Sequence, residues 1–312
     1  MLRPIALLVL IPLGIALETA LPARAQTAPP PAGLAELARL RHDTNAGRFE
    51  ALQGILKERG IPFDAQRFES PKGEGHNLVA TFGAGGREIV VGAHYDAVKL
   101  KDGSLSQGMV DDGAGVIALL RLAEALRGRP LRHRVRIVFF DQEELGLLGS
   151  KAFVAARPPA EIARDIAADV NFDIDAYGDT LLFGGGKGEA NAPLDRALQR
   201  VCAARRLSCL EFSEFPSGDD RSFNAAGIPN VSVAFLPAVE AHQLWLLLNG
   251  GPDSGLKQGF LPDVVNHMHS PGDTLEKVDP ATLDRASGLL LDLVLELDAT
   301  LDGQTSPKEK KP

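Results

Sequence analysis

The 312-residue sequence has no basic stripe: its 33 lysines and arginines are outnumbered by 41 aspartates and glutamates, and the formal net charge is −8. Nucleic acid and anionic membrane surfaces select clustered cations, so both are poor partners for this chain. Cysteine is scarce as well. Only Cys202 and Cys209 occur. Seven residues apart across a helix-to-strand turn, they permit a disulfide without demanding one, and the pairing stays open at this stage. There is no internal repeat. The longest apolar run, Ile5 to Leu17, falls short of the roughly 20 residues a spanning helix needs and is interrupted by Pro12.

That run instead has the layout of an export signal. Met1-Leu2-Arg3 supplies a positive start, and Ala23-Arg24-Ala25 offers a small-x-small cleavage site before Gln26. Residues 1–25 are read as a signal peptide, which implies a periplasmic or secreted protein with no stable membrane anchor after cleavage. Arg3 and Arg24 would leave with Glu18, taking the charge from −8 to −9. Residues 26–33 are proline-rich and read as a flexible linker. Residues 303–312 lack apolar side chains, carry Lys308, Lys310 and Lys311, and read as a disordered tail. What remains, 34–302, is the right size for a single α/β catalytic domain.

Within it, apolar spacing predicts a helix from Leu34 to Gly60 and short strands around Phe63–Phe68 and Asn77–Phe82. Glu88 to Ala93 is a continuous apolar run, as expected of a strand buried on both faces, and it ends at His94. A helix over Gly113–Leu126 follows, then a strand over Arg134–Phe140, a helix starting near Gly149 and a strand over Ile166–Phe172. Pro193–Arg206 reads as a helix, Pro229–Phe235 as a strand and Pro280–Leu301 as a long closing helix. The alternation predicts an α/β fold with a mixed, largely buried central sheet flanked by helices on both faces. The stretch 236–266, with the only tryptophan, Trp245, is irregular and reads as a surface helix and loop or as a lid or pocket-wall insertion.

Five short motifs sit where such a sheet places ligands, at the carboxyl ends of strands or on turns. The first is His94-Tyr95-Asp96, whose outer residues point the same way in a strand, so that Asp96 can hold the imidazole of His94. In Asp111-Asp112-Gly113, Asp112 suits a helix cap, while the two oxygens of Asp111 can serve two ions. Glu143-Glu144 offers two adjacent carboxylates for one metal ligand and one proton acceptor. Asp173 ends Asn171-Phe172-Asp173, with Asp175 as a rival. His269 leads into Ser270-Pro271-Gly272-Asp273-Thr274 and is preferred to His267. His42, His76, His133 and His242 have no carboxylate context in the sequence. Imidazole at each end with carboxylates between is a donor set that zinc accepts.

In this order and spacing the motifs resemble the M28 family of co-catalytic zinc exopeptidases, from about Asn77 to the closing helix. The resemblance implies the zinc-exopeptidase, phosphorylase/hydrolase-like sandwich and two divalent metal ions, zinc. It places His94 and Asp173 on one ion, Glu144 and His269 on the other, and Asp111 between them. It makes Glu143 the general base and Asp96 the partner of His94, places Asp219 near the substrate, and implies a cis peptide between Asp111 and Asp112. The implied reaction is exopeptidase hydrolysis, as an aminopeptidase acting on peptide or protein N-termini. Two departures stand out: Asp220 occupies a position where relatives carry histidine, and Phe215 or Met268 stands near where several carry an oxyanion-steadying tyrosine. His267, Arg221 or a residue of 236–266 is left to take that role, or the metal alone. A glutaminyl-cyclase-like acyltransferase on the same fold, binding one zinc, is the first alternative. An M20-type carboxypeptidase or deacylase is the second, though the 95 residues between Asp173 and His269 leave little room for its inserted domain. A catalytically silent receptor-like module is the third.

Overall fold

A computed structural model describes residues 32–301, so the signal-peptide and tail readings, and the linker up to residue 31, lie outside the described residues. Eight strands are present: β1 (Asp64–Ser70), β2 (Gly73–Phe82), β3 (Glu88–His94), β4 (Arg134–Phe140), β5 (Ile166–Phe172), β6 (Thr180–Gly185), β7 (Ser208–Glu211) and β8 (Asn230–Leu236). They form one sheet in the order β1-β2-β4-β3-β5-β8-β6-β7. β4, β3, β5 and β8 run parallel at its centre, while β2 and β6 pair antiparallel with β4 and β8. Every residue of β3 is buried, because β4 and β5 cover both its edges and helices cover both its faces.

The helices are α1 (Ala32–Leu37), α2 (Asn45–Glu58), α3 (Ala114–Leu126), α4 (Leu148–Ala155), α5 (Pro159–Asp165), α6 (Ala192–Arg205), α7 (Asp220–Ala225), α8 (Ala238–Asn249), α9 (Asp263–His267) and α10 (Pro280–Thr300). Alternation along β3 sorts the layers. Ile89, Val91 and Ala93 join Leu52, Ile117, Leu198 and Leu290 from α2, α3, α6 and α10 on one face. Val90 joins Phe153, Ile162 and Phe223 from α4, α5 and α7 on the other. Beside that second cluster, Leu244 of α8 and Val264 of α9 pack on Leu182 and Leu236. This is the mixed, two-sided α/β sandwich that the alternation predicts.

Two local readings need correction. Residues 32 and 33, read as linker, already belong to α1. The span 34–60 is not one helix: it breaks at 41–44 and restarts where Thr44 Oγ1 accepts the amide of Gly47, at 3.1 Å. Apolar spacing runs through the break without a glycine or proline to mark it, and only the capping threonine gives the restart away. α5, β6 and α7 are too short or too irregular in pattern to stand out. The stretch 236–266 is more ordered than its composition suggests, since α8 fills its first half.

Cys202 in α6 and Cys209 in β7 form a disulfide, with Cα atoms 6.4 Å apart. It ties the last turn of a helix to a four-residue strand at the margin of the sheet. Replacing both cysteines with serine is expected to cost about 2 kcal/mol, or about 3–4 °C in melting temperature for a domain of this size. Differential scanning calorimetry of oxidised wild type against the double variant measures this, and equal melting temperatures would show the bridge to be energetically idle.

Candidate metal centre and active site

The parallel strands β3, β4 and β5 end side by side, and each hands its carboxyl end to the site. β3 delivers His94, β4 leads into Glu143 and Glu144, and β5 into Asp173. The loop before α3 adds Asp111, and the chain after α9 adds His269. The donor atoms of these residues meet although the sequence scatters them. His94 Nε2 lies 3.0 Å from Asp111 Oδ1 and 3.9 Å from Asp173 Oδ1. His269 Nε2 lies 2.9 Å from Glu144 Oε2 and 3.5 Å from Asp111 Oδ2. Each oxygen of Asp111 thus faces a different histidine.

Two clusters have metal-ligand spacing among the described residues: His94, Asp112 and Asp173, and Asp111, Glu144 and His269, each with donor atoms within 4.8 Å of one another. Asp112 is already engaged, since its Oδ1 accepts from the amide of Gly115 at 3.1 Å and its Oδ2 from that of His94 at 3.3 Å. It caps the start of α3 and pins the end of β3. By contrast, Oδ1 of Asp173 is buried with no hydrogen-bond partner. An orphaned carboxylate oxygen facing an imidazole is what a cation would satisfy, and the nitrogen and oxygen donors suit zinc. The residues present therefore fit a metal pair.

A web of backbone contacts holds the donors in place. Arg48, fully buried in α2, donates to the carbonyls of Tyr95, Leu40, Gln107 and Gly108, bracing the end of β3 and the loop that leads to Asp111. Gly108 turns that loop with φ of 58°, in the left-handed region that glycine enters without strain. Asp273 accepts from the amides of Met109, Val110 and Asp111 at 3.1, 2.7 and 3.2 Å. The peptide between Asp111 and Asp112 is cis. Asp96 holds His94 Nδ1 through its carbonyl oxygen at 3.1 Å, with its carboxylate Oδ1 at 3.5 Å. That carboxylate accepts the amides of Glu143 and Glu144 at 3.0 and 3.3 Å. Asp96 therefore fixes the glutamate turn as much as the imidazole. Gln142, Ile174 and His269 each adopt positive φ, of 57°, 62° and 56°. Left-handed non-glycine residues are costly and gather where structure serves a site.

So many acids in one place distort their own ionisation. Burial, reinforced by Asp219, Asp111 and Glu144, pushes Glu143 up to about 8. Burial raises Asp173 and Asp112 well above the usual carboxylate range. Burial also works against charge on Asp111, yet hydrogen bonds from His269 and His94 outweigh it and hold that carboxyl low. Bonds to Asp111 and Glu144 lift His269 to about 10. The cluster is short of positive charge, and bound divalent cations would relieve it.

Asp219 lies at the start of α7, 2% exposed, with neither carboxylate oxygen in hydrogen-bonding geometry, and burial pushes it up to about 7 against the nearby Ser150 hydroxyl, which favours its charged form. The preceding Gly218 abuts the site, where an added Cβ would meet Asn171 Nδ2 at 2.9 Å and Asp173 Oδ2 at 3.5 Å. Asp220 turns away to accept the amide of Gly218 at 3.2 Å. Phe215 and Met268 line an apolar cavity of about 290 Å³ with Ile174, Leu182, Leu244 and Leu248, and Asp173 lies at its edge. Residues of the 236–266 stretch thus line part of this cavity. On the Phe215 side, Arg221 braces the lining by donating to the carbonyl of Phe215 at 2.9 Å.

His267 does not join the donors; its Nδ1 lies 3.3 Å from the hydroxyl of Tyr177. Two histidines without carboxylate context in the sequence have it in space: His133 Nδ1 lies 3.1 Å from Asp298, and His76 Nε2 lies 3.0 Å from Glu74. Arg48 and Tyr177 were missed altogether. A charged residue inside an otherwise helical segment gives no sign of burial, and the partners of Arg48 are backbone carbonyls that no motif records. Asp273 was visible only as part of the His269 motif.

Residues 77–294 match Peptidase family M28. Aminopeptidase YwaD of Bacillus subtilis is 28% identical over 231 residues, covering 72% of this chain and 42% of that protein. The chain spans less than half the length of the curated relatives it matches. Among solved structures, the zinc aminopeptidase BSAP from Bacillus subtilis aligns over 77% of this chain and 53% of its own, at 19% identity and a TM-score of 0.56. A glutaminyl cyclase from an Acidobacteriales bacterium aligns over 90% of this chain and 99% of its own, at 20% identity and a TM-score of 0.65. At such identities the solved structures bear on the fold alone.

Arg48→Leu is expected to cost about 3 kcal/mol or more, because it leaves buried carbonyls without a donor. Urea denaturation of the metal-free protein tests this, and a loss below about 1 kcal/mol would mean that water takes over the bonds.

Proposed function

The chain belongs to peptidase family M28, and from that premise we propose that it is an exported, two-zinc aminopeptidase. The observation that carries the reading is the Asp111 carboxylate, whose two oxygens face His94 and His269 from opposite sides. His94 and Asp173 would hold one ion, Glu144 and His269 the other, with Asp111 shared. Bound zinc would lower the pKa of water toward about 7 and polarise the scissile carbonyl.

The side chains supply the rest. Glu143, anchored at its amide by Asp96, takes the proton from the attacking water and returns it to the leaving amine. Asp219, whose charge acts on Glu143 and Asp173, would be the carboxylate that draws the ammonium of a substrate N-terminus. The apolar cavity beside Asp173 would receive the side chain of that first residue. Its lining favours leucine, methionine or phenylalanine over charged residues, in proportion to the apolar area buried. Phe215 and Met268 have no hydrogen to donate, so oxyanion stabilisation falls to the metals or to another donor. The disulfide supports export, since such bonds persist in oxidising compartments. Mature protein would then begin at Gln26, and the catalytic unit with α1 at Ala32.

A second reading is favoured by one observation: the Acidobacteriales glutaminyl cyclase aligns over almost its whole length, which the zinc aminopeptidase does not. A cyclase-like acyltransferase would need one zinc and an N-terminal glutamine. Metal analysis of purified protein separates the two, with two equivalents expected here. A panel of amino-acyl chromogenic amides should show leucine or phenylalanine hydrolysed at least about tenfold faster than glutamate. N-blocked versions and chelated enzyme should be inert. Hydrolysis of the blocked amides would argue against an aminopeptidase.

The adjacent glutamates give a sharper test. Glu143→Gln should keep both metals and lose about 10²–10⁴-fold in turnover, because an amide cannot accept the proton. Glu144→Gln should lose activity together with about one equivalent of metal. If Glu143→Gln is the variant that drops a metal, the two roles are reversed.

A further inference from the structure

α9 carries the chain from the cavity wall into His269, and residues outside it grip both of its ends. At its start, Oε2 of Glu240 in α8 accepts the amide of Val264 at 2.7 Å. At its end, Nδ1 of His267 lies 3.3 Å from the hydroxyl of Tyr177, which donates to Oε1 of the same Glu240 at 3.4 Å. The imidazole of His267 also packs edge-on to the Tyr177 ring, with centroids 6.3 Å apart. One carboxylate and one phenol therefore join α8, α9 and the loop that follows Asp173.

Two features make this grip consequential. α9 has five residues, too few to sustain a helix without tertiary support. The imidazole of His269 is 54% exposed, against 3% for His94, so packing does not hold it. Beyond its contacts with Glu144 and Asp111, its position is set by the backbone on either side: α9 through Met268 before it, and the turn anchored by Asp273 after it. Resting on the metal-centre reading above, we propose that Tyr177 and Glu240 are positioning residues whose clamp on α9 sets His269 against Glu144 and Asp111. The metal position served by His269 then depends on the clamp, while the position served by His94 does not.

Zinc titration calorimetry of the metal-free protein tests this, with His269→Ala marking which binding event belongs to that position. Tyr177→Phe removes only the hydroxyl. It should weaken the marked event about tenfold, the low end of what loss of a ligand-orienting contact costs, and leave the other within about twofold. Glu240→Gln, which keeps the size but leaves one acceptor oxygen where the carboxylate used two, should do the same and serves if the first variant does not fold. A merely structural role would lower the melting temperature and weaken both events alike. That result overturns the proposal, as does an unchanged pair of affinities in either folded variant. Failure of the underlying reading shows itself elsewhere, as an unmutated protein that lacks the event removed by His269→Ala.

Discussion

Too many carboxylates in too small a volume is the condition around which this molecule is built. Asp111, Asp112, Glu143, Glu144, Asp173 and Asp219 gather at the ends of three adjacent strands, with the imidazoles of His94 and His269 as their nearest cations. Burying unpaired acids is costly unless hydrogen bonds or counter-charges answer them. The fold answers some with backbone amides: Asp96 and Asp273 take two and three, and Asp112 takes two. It leaves Asp219 and one oxygen of Asp173 unanswered. The satisfied acids are those that shape the backbone, and the unsatisfied ones lie buried beside the donor clusters. Asp175 is a third case, wholly buried with neither oxygen partnered and with Asp112 and Asp173 beside it. It lies close behind the donors, and its burial deepens the deficit of positive charge.

Seen this way, Arg48 and the acids oppose one another across a few residues of chain. The guanidinium pulls carbonyls of the β3 end and the Asp111 loop toward α2, while Asp273 pulls the amides of that loop toward the His269 side. The loop is held through its carbonyls on one side and its amides on the other, with little left to thermal motion. Rigidity of this kind is what lets a carboxylate present two oxygens to two partners in fixed directions.

How much of this the sequence reveals depends on the reach of each interaction. β3, β4 and β5 are legible because strands buried on both faces become unbroken apolar runs, and their ends point to His94, Glu143, Glu144 and Asp173. Asp111 and His269 are legible from the turn chemistry around them. The restart of α2 at Thr44 is a weaker signal, because the apolar period continues across the gap. Arg48 is opaque: its partners are carbonyls up to 60 residues away, and nothing in their side chains records it. His133 and Asp298, separated by 165 residues, meet only because the turn before β4 packs on the last helix. The leucines of 236–266 are ambiguous for a related reason. Leucines that line a cavity and leucines that fill a core look the same in one dimension.

The margins of the sheet have a meaning of their own. One is β1, exposed along most of its length and studded with Asp64, Arg67 and Glu69. The other is β7, four residues long and fastened by its cysteine to α6. An eight-stranded sheet offers two rows of unpaired amides and carbonyls to any other extended chain, including a second copy of itself. Here one row is guarded by alternating charge and the other is cut short and held back. Under the peptidase function proposed above, strand-like substrate segments would meet the metal centre without also being templated along these edges.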